Sequence, residues 1–186
     1  MNRQTLTRTA GFLLLVFVAA FGGVWAGMQF RQSQAPPAER PAIPESKLAA
    51  GMSFPGETLV EPRDGSTLDS AELVAGGAVV LFLRSDCPAC GVLTERWKEL
   101  DAAGDLAGVP AFGVSMEPPE QIAAYRDEKG LPFPVYQDAE RRFVEAWEVR
   151  AVPLVVVVAP GGEVRETFYL PHLLDAAKIR RQVGAG

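Results

Sequence analysis

Residues 78–90 read Ala78-Val79-Val80-Leu81-Phe82-Leu83-Arg84-Ser85-Asp86-Cys87-Pro88-Ala89-Cys90, and the reading of this stretch decides the fold. Its first six residues are all apolar and rich in β-branched side chains. They are too few for most helices and predict a buried central strand. Beyond them the period changes. Val92, Leu93, Trp97 and Leu100 share a helical face, so a helix is expected from near Pro88 to Gly104, with proline tolerated in the first turn and glycine suited to the stop. The residues between strand and helix therefore lie at a helix N-terminus. Unpaired backbone N–H groups and the positive end of the helix dipole favour a thiolate at Cys87, the candidate nucleophile. Cys90, inside the first turn and more covered, is the candidate resolving thiol. Asp86, Pro88 and Ala89 surround the pair and are candidate tuning residues.

A Cys-x-x-Cys spacing also occurs in half of a zinc site, in c-type haem attachment and in inert structural disulfides. Gly91 rather than histidine follows Cys90, which removes the usual haem signature. The chain holds two cysteines and one histidine, His172, which cannot by themselves close a four-ligand zinc site. A loop this short closes little chain entropy, so a structural disulfide here would stabilise an exported domain poorly. Redox catalysis is the favoured reading, with no metal and no cofactor.

Outward from the motif, short β-like runs alternate with amphipathic helices, the pattern of an α/β domain with a partly parallel sheet. Met52 to Val60, with the Asp64-Gly65 turn, reads as a peripheral hairpin, and Asp69 with Glu72 can cap a helical turn. A strand is expected at Pro110 to Ser115, a helix from Pro119 to Lys129 ended by Gly130, and a strand at Phe133 to Tyr136. Asp138 is expected to cap a helix running through Trp147. Leu154 to Val158 is the strongest strand signal, followed by a Pro160-Gly161-Gly162 turn and an antiparallel strand from Glu163 to Tyr169. Pro171 is expected to open a last helix reaching Gln182.

Towards the N-terminus, every residue from Thr9 to Phe30 is uncharged. A helix of that length spans about 33 Å, enough for a hydrocarbon core of roughly 30 Å. Arg3 and Arg8 precede it and only Arg31 follows closely, which orients residues 1–8 to the cytoplasm and everything after Phe30 outside. The rival reading is a cleaved signal peptide, with small residues around Val24-Trp25-Ala26, but its apolar stretch is longer than such signals use. The organisation expected is a cytoplasmic N-terminus (1–8), a transmembrane signal anchor (9–30), a Pro-rich linker (31–50) and one α/β domain (51–186) outside the cytoplasmic membrane, periplasmic or its equivalent.

At 186 residues the chain has room for that single domain and its appendage. With 18 Lys+Arg against 23 Asp+Glu and a net charge of −5, it has no basic field for phosphate backbones, and nucleic acid is not an expected partner. His172 is expected to cap or sit on the surface, and Trp97 and Trp147 to anchor apolar faces.

The stretch from Gly51 to Gln182 resembles the thioredoxin superfamily, and within it the membrane-anchored thiol-disulfide oxidoreductases of the TlpA/ResA/CcmG group. The resemblance is carried by Met52-Ser53-Phe54 through Leu68, by Val79 to Cys90, and by Ala146-Trp147-Glu148-Val149-Arg150-Ala151-Val152-Pro153. It implies a central mixed sheet flanked by helices, an N-terminal β-hairpin and a central αβ insertion. It also implies that Pro153 is a cis-proline facing the cysteines, with the backbone of Val152 pairing with a substrate chain like an added strand. Exported disulfide-containing proteins, including apocytochromes c and copper-site proteins, are then the substrate class, and a membrane thiol carrier of the DsbD/CcdA type the electron source.

Three departures from the group's pattern stand out. Asp86 replaces the tryptophan often found before the first cysteine, and its charge is expected to oppose ionisation of Cys87 and tune the pair towards a reductant, or else to be a solvated loop acid of little effect. Leu81 stands where thioredoxins commonly bury an acid, leaving proton transfer at Cys90 to water or another carboxylate. Leu154 replaces the threonine common after the cis-proline. Two other functions remain open. A peroxiredoxin-like peroxidase would carry proline and threonine where this chain has Val80 and Arg84, and a copper-binding assembly protein of the SCO type would space its cysteines one residue further apart.

Overall fold

Alternation along two neighbouring strands builds two cores back to back. In β3 (Gly76–Phe82) and β6 (Leu154–Pro160), which pair antiparallel with Val80 opposite Val156 and Phe82 opposite Leu154, nearly every residue is buried. Val79, Leu81, Val155 and Val157 point to one face, against Leu93, Trp97 and Leu100 of α2 (Pro88–Ala102). Ala78, Val80, Phe82, Leu154, Val156 and Val158 point to the other, against Phe54, Leu59 and Phe143. A strand covered on both faces reads as a continuous apolar run, which is why these two gave the clearest signals in the sequence. Each fully buried Val, Leu or Phe side chain contributes about 1.5–3 kcal/mol of hydrophobic stabilisation.

This computed structural model describes residues 45–169 and 171–185. The expected cytoplasmic N-terminus, transmembrane anchor and most of the linker lie outside the described residues. Among the described residues no helix is long and apolar enough to cross a membrane.

The remaining strands are β1 (Thr58–Val60), β2 (Thr67–Asp69), β4 (Ala111–Ser115), β5 (Val135–Gln137) and β7 (Val164–Phe168). They form one mixed sheet in the order β2-β1-β5-β4-β3-β6-β7, with β3, β4 and β5 parallel. The hairpin expected to be peripheral is continuous with this sheet, because Val60 of β1 pairs with Gln137 of β5. Its strands are shorter than expected, since residues 51–54 instead run beside β7, with Gly51 N–H donating to Val164 O and Phe54 N–H to Gly162 O, both at 2.8 Å. That contact covers an otherwise open sheet edge. The linker also ends earlier than expected: Leu48 is buried in the second core and Lys47 N–H donates to Trp147 O.

Helices α2, α3 (Pro119–Lys129) and α5 (Ala176–Val183) bury residues in the first core; α1 (Ser70–Val74) and α4 (Arg142–Glu145) bury theirs in the second. Asp69 caps α1 by accepting from Ala71 N–H, as its spacing implied. Two helices differ from expectation. The helix expected from Asp138 to Trp147 is a single turn, because Arg141 takes a left-handed φ of 56° just before it, and Asp138 reaches forward to accept from the N–H groups of Arg142 and Phe143 at 2.9 Å. Pro171 opens a 3-10 turn (Pro171–Leu173) carrying an exposed His172, and α5 starts afresh with Asp175 as its cap. Val92 also leaves the expected apolar face: it is 61% exposed, one residue round the helix from buried Leu93.

Candidate active site

The parallel ladder ends where the chemistry begins. Leu83 N–H makes a last bond to Val114 O, after which residues 84–87 turn outward. Cys87 is the N-cap of α2, with extended backbone, and Pro88 occupies the first helical position, where its missing N–H leaves no bond unmade. The cap interaction is made by sulfur: Cys90 N–H donates to Cys87 Sγ at 3.2 Å. A helix N-terminus thus aims one of its unpaired donors at the sulfur.

The two thiols, both free, occupy different environments. Cys87 is partly exposed and Cys90 is fully buried against the first core. Burial and the neighbouring Cys87 push the Cys90 thiol well above its ordinary range; the Arg84 backbone opposes this, and the Glu117 carboxylate adds to it. Cys90 is therefore a thiol at neutral pH.

The Val152–Pro153 bond is cis, as the resemblance implied. The Val152 carbonyl faces the first cysteine, accepting from Cys87 Sγ at 3.7 Å. Val152 is partly exposed, Pro153 is buried, and Leu154 lies in β6. Pro88 and Ala89 are exposed beside Cys87, and with Val92 they leave apolar surface next to the sulfur. Structure thus brings together Cys87, Cys90, Pro88, Ala89 and Val152. Asp86 is exposed and forms an ion pair with Arg84 at 2.7 Å, so its charge acts on the motif together with that of Arg84. Leu81 is buried in the sheet and offers no carboxylate.

One acid at this site escaped the sequence reading. Glu117 follows β4, and its carboxylate accepts from Ser85 N–H at 2.8 Å, Ser85 Oγ at 2.6 Å and Ser115 Oγ at 3.1 Å. Adjacent parallel strands place their C-terminal loops side by side, the usual location of sites in such sheets. Recognising that the chain returns beside β3 at Phe112 to Ser115 would have pointed to the residues immediately after. Tyr125 of α3 lies close by; its hydroxyl is buried and has no hydrogen-bond partner among the described residues, and burial raises its ionisation range, with Thr94 close enough to oppose the effect.

Known proteins of two kinds resemble this chain. The model of the AhpC/TSA family matches residues 50–167. A Mycobacterium tuberculosis protein described as a peroxiredoxin is 28% identical over 125 residues, covering 66% of this chain and 78% of the relative. The thiol-disulfide oxidoreductase ResA of Halalkalibacterium halodurans is 24% identical over 107 residues, 57% of this chain and 61% of that protein. Among solved structures, a Chlorobium tepidum protein described as a thiol:disulfide interchange protein DsbE superimposes with a TM-score of 0.60 at 15% identity, over 74% of this chain and 97% of the other.

Proposed function

Because the chain belongs to the AhpC/TSA family, we propose that it is a thioredoxin-like oxidoreductase that reduces disulfides of exported proteins through Cys87 and Cys90. The observation that carries this reading is the asymmetry of the two sulfurs, one open at a helix N-terminus and the other buried beneath it.

The reaction follows from that asymmetry. Cys87 sulfur, as thiolate, attacks one sulfur of a substrate disulfide; a Cys87–substrate disulfide forms and the second substrate sulfur leaves as a thiolate that takes up a proton. Cys90 then loses its proton and attacks the Cys87 sulfur. The Cys87–Cys90 bond closes, the substrate leaves as a second thiol, and two electrons have passed from the protein to the substrate. In this reading an extended substrate chain pairs with the backbone of Val152 as an added strand and rests on Pro88, Ala89 and Val92, which the closeness of the Val152 carbonyl to Cys87 and the exposure of those apolar residues support.

Residues 9–30 serve as a membrane anchor with the domain outside the cytoplasmic membrane, and a membrane thiol carrier of the DsbD/CcdA type returns the electrons. Tethering raises the local concentration of partners at the membrane. Substrates are exported proteins with accessible disulfides, the class that apocytochromes c and copper-site proteins represent.

A Cys90→Ala variant expressed in cells tests these statements together. Exported proteins should accumulate in covalent, dithiothreitol-reversible complexes with Cys87, identified by mass spectrometry. Recovery of cytoplasmic proteins alone would reject the placement, and no covalent complex would reject the chemistry. The family match and the peroxiredoxin relative favour one second reading, a peroxidase. Turnover of hydrogen peroxide exceeding that of protein disulfides would establish it instead.

A further inference from the structure

The thiol pair accounts for Cys87 and Cys90, but not for the carboxylate facing the loop that carries them. Glu117 receives three hydrogen bonds, all from neutral donors, and among the described residues it forms no ion pair. Two of the three come from Ser85, one through its backbone and one through its hydroxyl, so the contact fixes both the path of the chain and the side chain two residues before Cys87. Glu117 is itself held at its own backbone. Its N–H donates to Ser115 Oγ at 3.3 Å, and its carbonyl accepts from Gln137 Nε2 of β5 at 3.0 Å. Ser115 is buried at the end of β4. A rigid sheet end is thereby tied, through one carboxylate, to a loop that has left the ladder and would otherwise hold its position mainly through the helix cap.

We propose that Glu117 is a positioning residue for thiol-disulfide exchange, holding the loop that carries Cys87 in register with the end of β4. This rests on the thiol-exchange reading above. The charge of the same carboxylate has a second effect, because it adds to the burial that keeps Cys90 protonated. Among the described residues, the charged or titratable groups nearest Glu117 and Cys90 are Cys87, Arg84 and Asp86 of the loop and Tyr125 of α3, with the Lys129–Glu128 ion pair beyond Tyr125.

Reaction of the reduced full-length chain with 5,5′-dithiobis(2-nitrobenzoate) separates the two roles. Attack by Cys87 on the reagent's disulfide releases one thionitrobenzoate and leaves the other bonded to Cys87. Attack by Cys90 then releases the second as the intramolecular disulfide closes. Glu117→Ala should slow the first phase roughly tenfold or more, the scale of losses caused by misplacing a reacting group. Glu117→Gln keeps the shape and can still accept from Ser85 N–H, so its first phase should stay within about threefold of the wild type. In this variant the second phase should shift to lower pH, because a negative charge opposing ionisation of Cys90 has gone. Far-UV circular dichroism identifies variants that have not folded, and Glu117→Gln carries the test if Glu117→Ala is among them. A folded Glu117→Ala with wild-type first-phase kinetics, or a Glu117→Gln whose first phase is slowed roughly tenfold or more, would overturn the proposal, and a Glu117→Gln whose second phase keeps its pH dependence would remove the charge effect on Cys90. A wild-type chain that released no thionitrobenzoate would remove the thiol-exchange reading itself, and with it this one.

Discussion

Cys90 and Cys87 are three residues apart, yet their surroundings differ as much as a core differs from a surface. Burial of Cys90, reinforced by its neighbour, raises its ionisation range in the folded chain. A group raised in this way contributes stability that is complete below its unfolded value, here near 9.0, and declines as pH rises towards the folded one. The urea midpoint of the reduced wild type should therefore fall between pH 8 and pH 10 by more than that of Cys90→Ala, and parallel curves would count against a buried thiol. At this scale the cysteine pair was legible because its spacing and its place before an amphipathic run are both written in consecutive residues. Glu117 was not, because its role depends on which strand lies beside β3, and no local pattern around Ser115-Met116-Glu117 states that neighbour.

Among the elements, β3 and β6 were read correctly since burial on both faces leaves an unbroken apolar run, while α4 was overestimated. Asp138 does supply the cap expected of it, but it reaches across a left-handed Arg141 to a helix that begins four residues later. Periodicity could not reveal that break, since arginine is not a residue that advertises a positive φ. Gly77 at the start of β3 illustrates the opposite case, a constraint that only packing discloses. Its φ is +86°, and a Cβ there would come within 2.4 Å of the Val183 carbonyl at the end of α5. Gly77→Ala should destabilise the fold by about 1–3 kcal/mol in urea, as overpacking against backbone does. Because Gly77 sits at the far end of β3 from Cys87, thiol reactivity of the folded variant should be unchanged. A variant as stable as the wild type would show that α5 yields easily.

Over the whole molecule, the sheet divides the labour. One strand end and its parallel neighbour deliver Cys87 and Glu117 from adjacent loops, and antiparallel β6 begins beside them just after cis Pro153, so three separate segments meet around the loop that carries Cys87. The cysteine spacing points to the first of these contributions and the family resemblance to the third, while the topology supplies the second. The account stands on the inequality of the two thiols, and timed alkylation measures it directly. If reduced chain is treated with iodoacetamide at pH 7 and the sites are resolved by mass spectrometry, Cys87 should be modified at least about tenfold faster than Cys90. Equal rates, or faster modification of Cys90, would contradict the account.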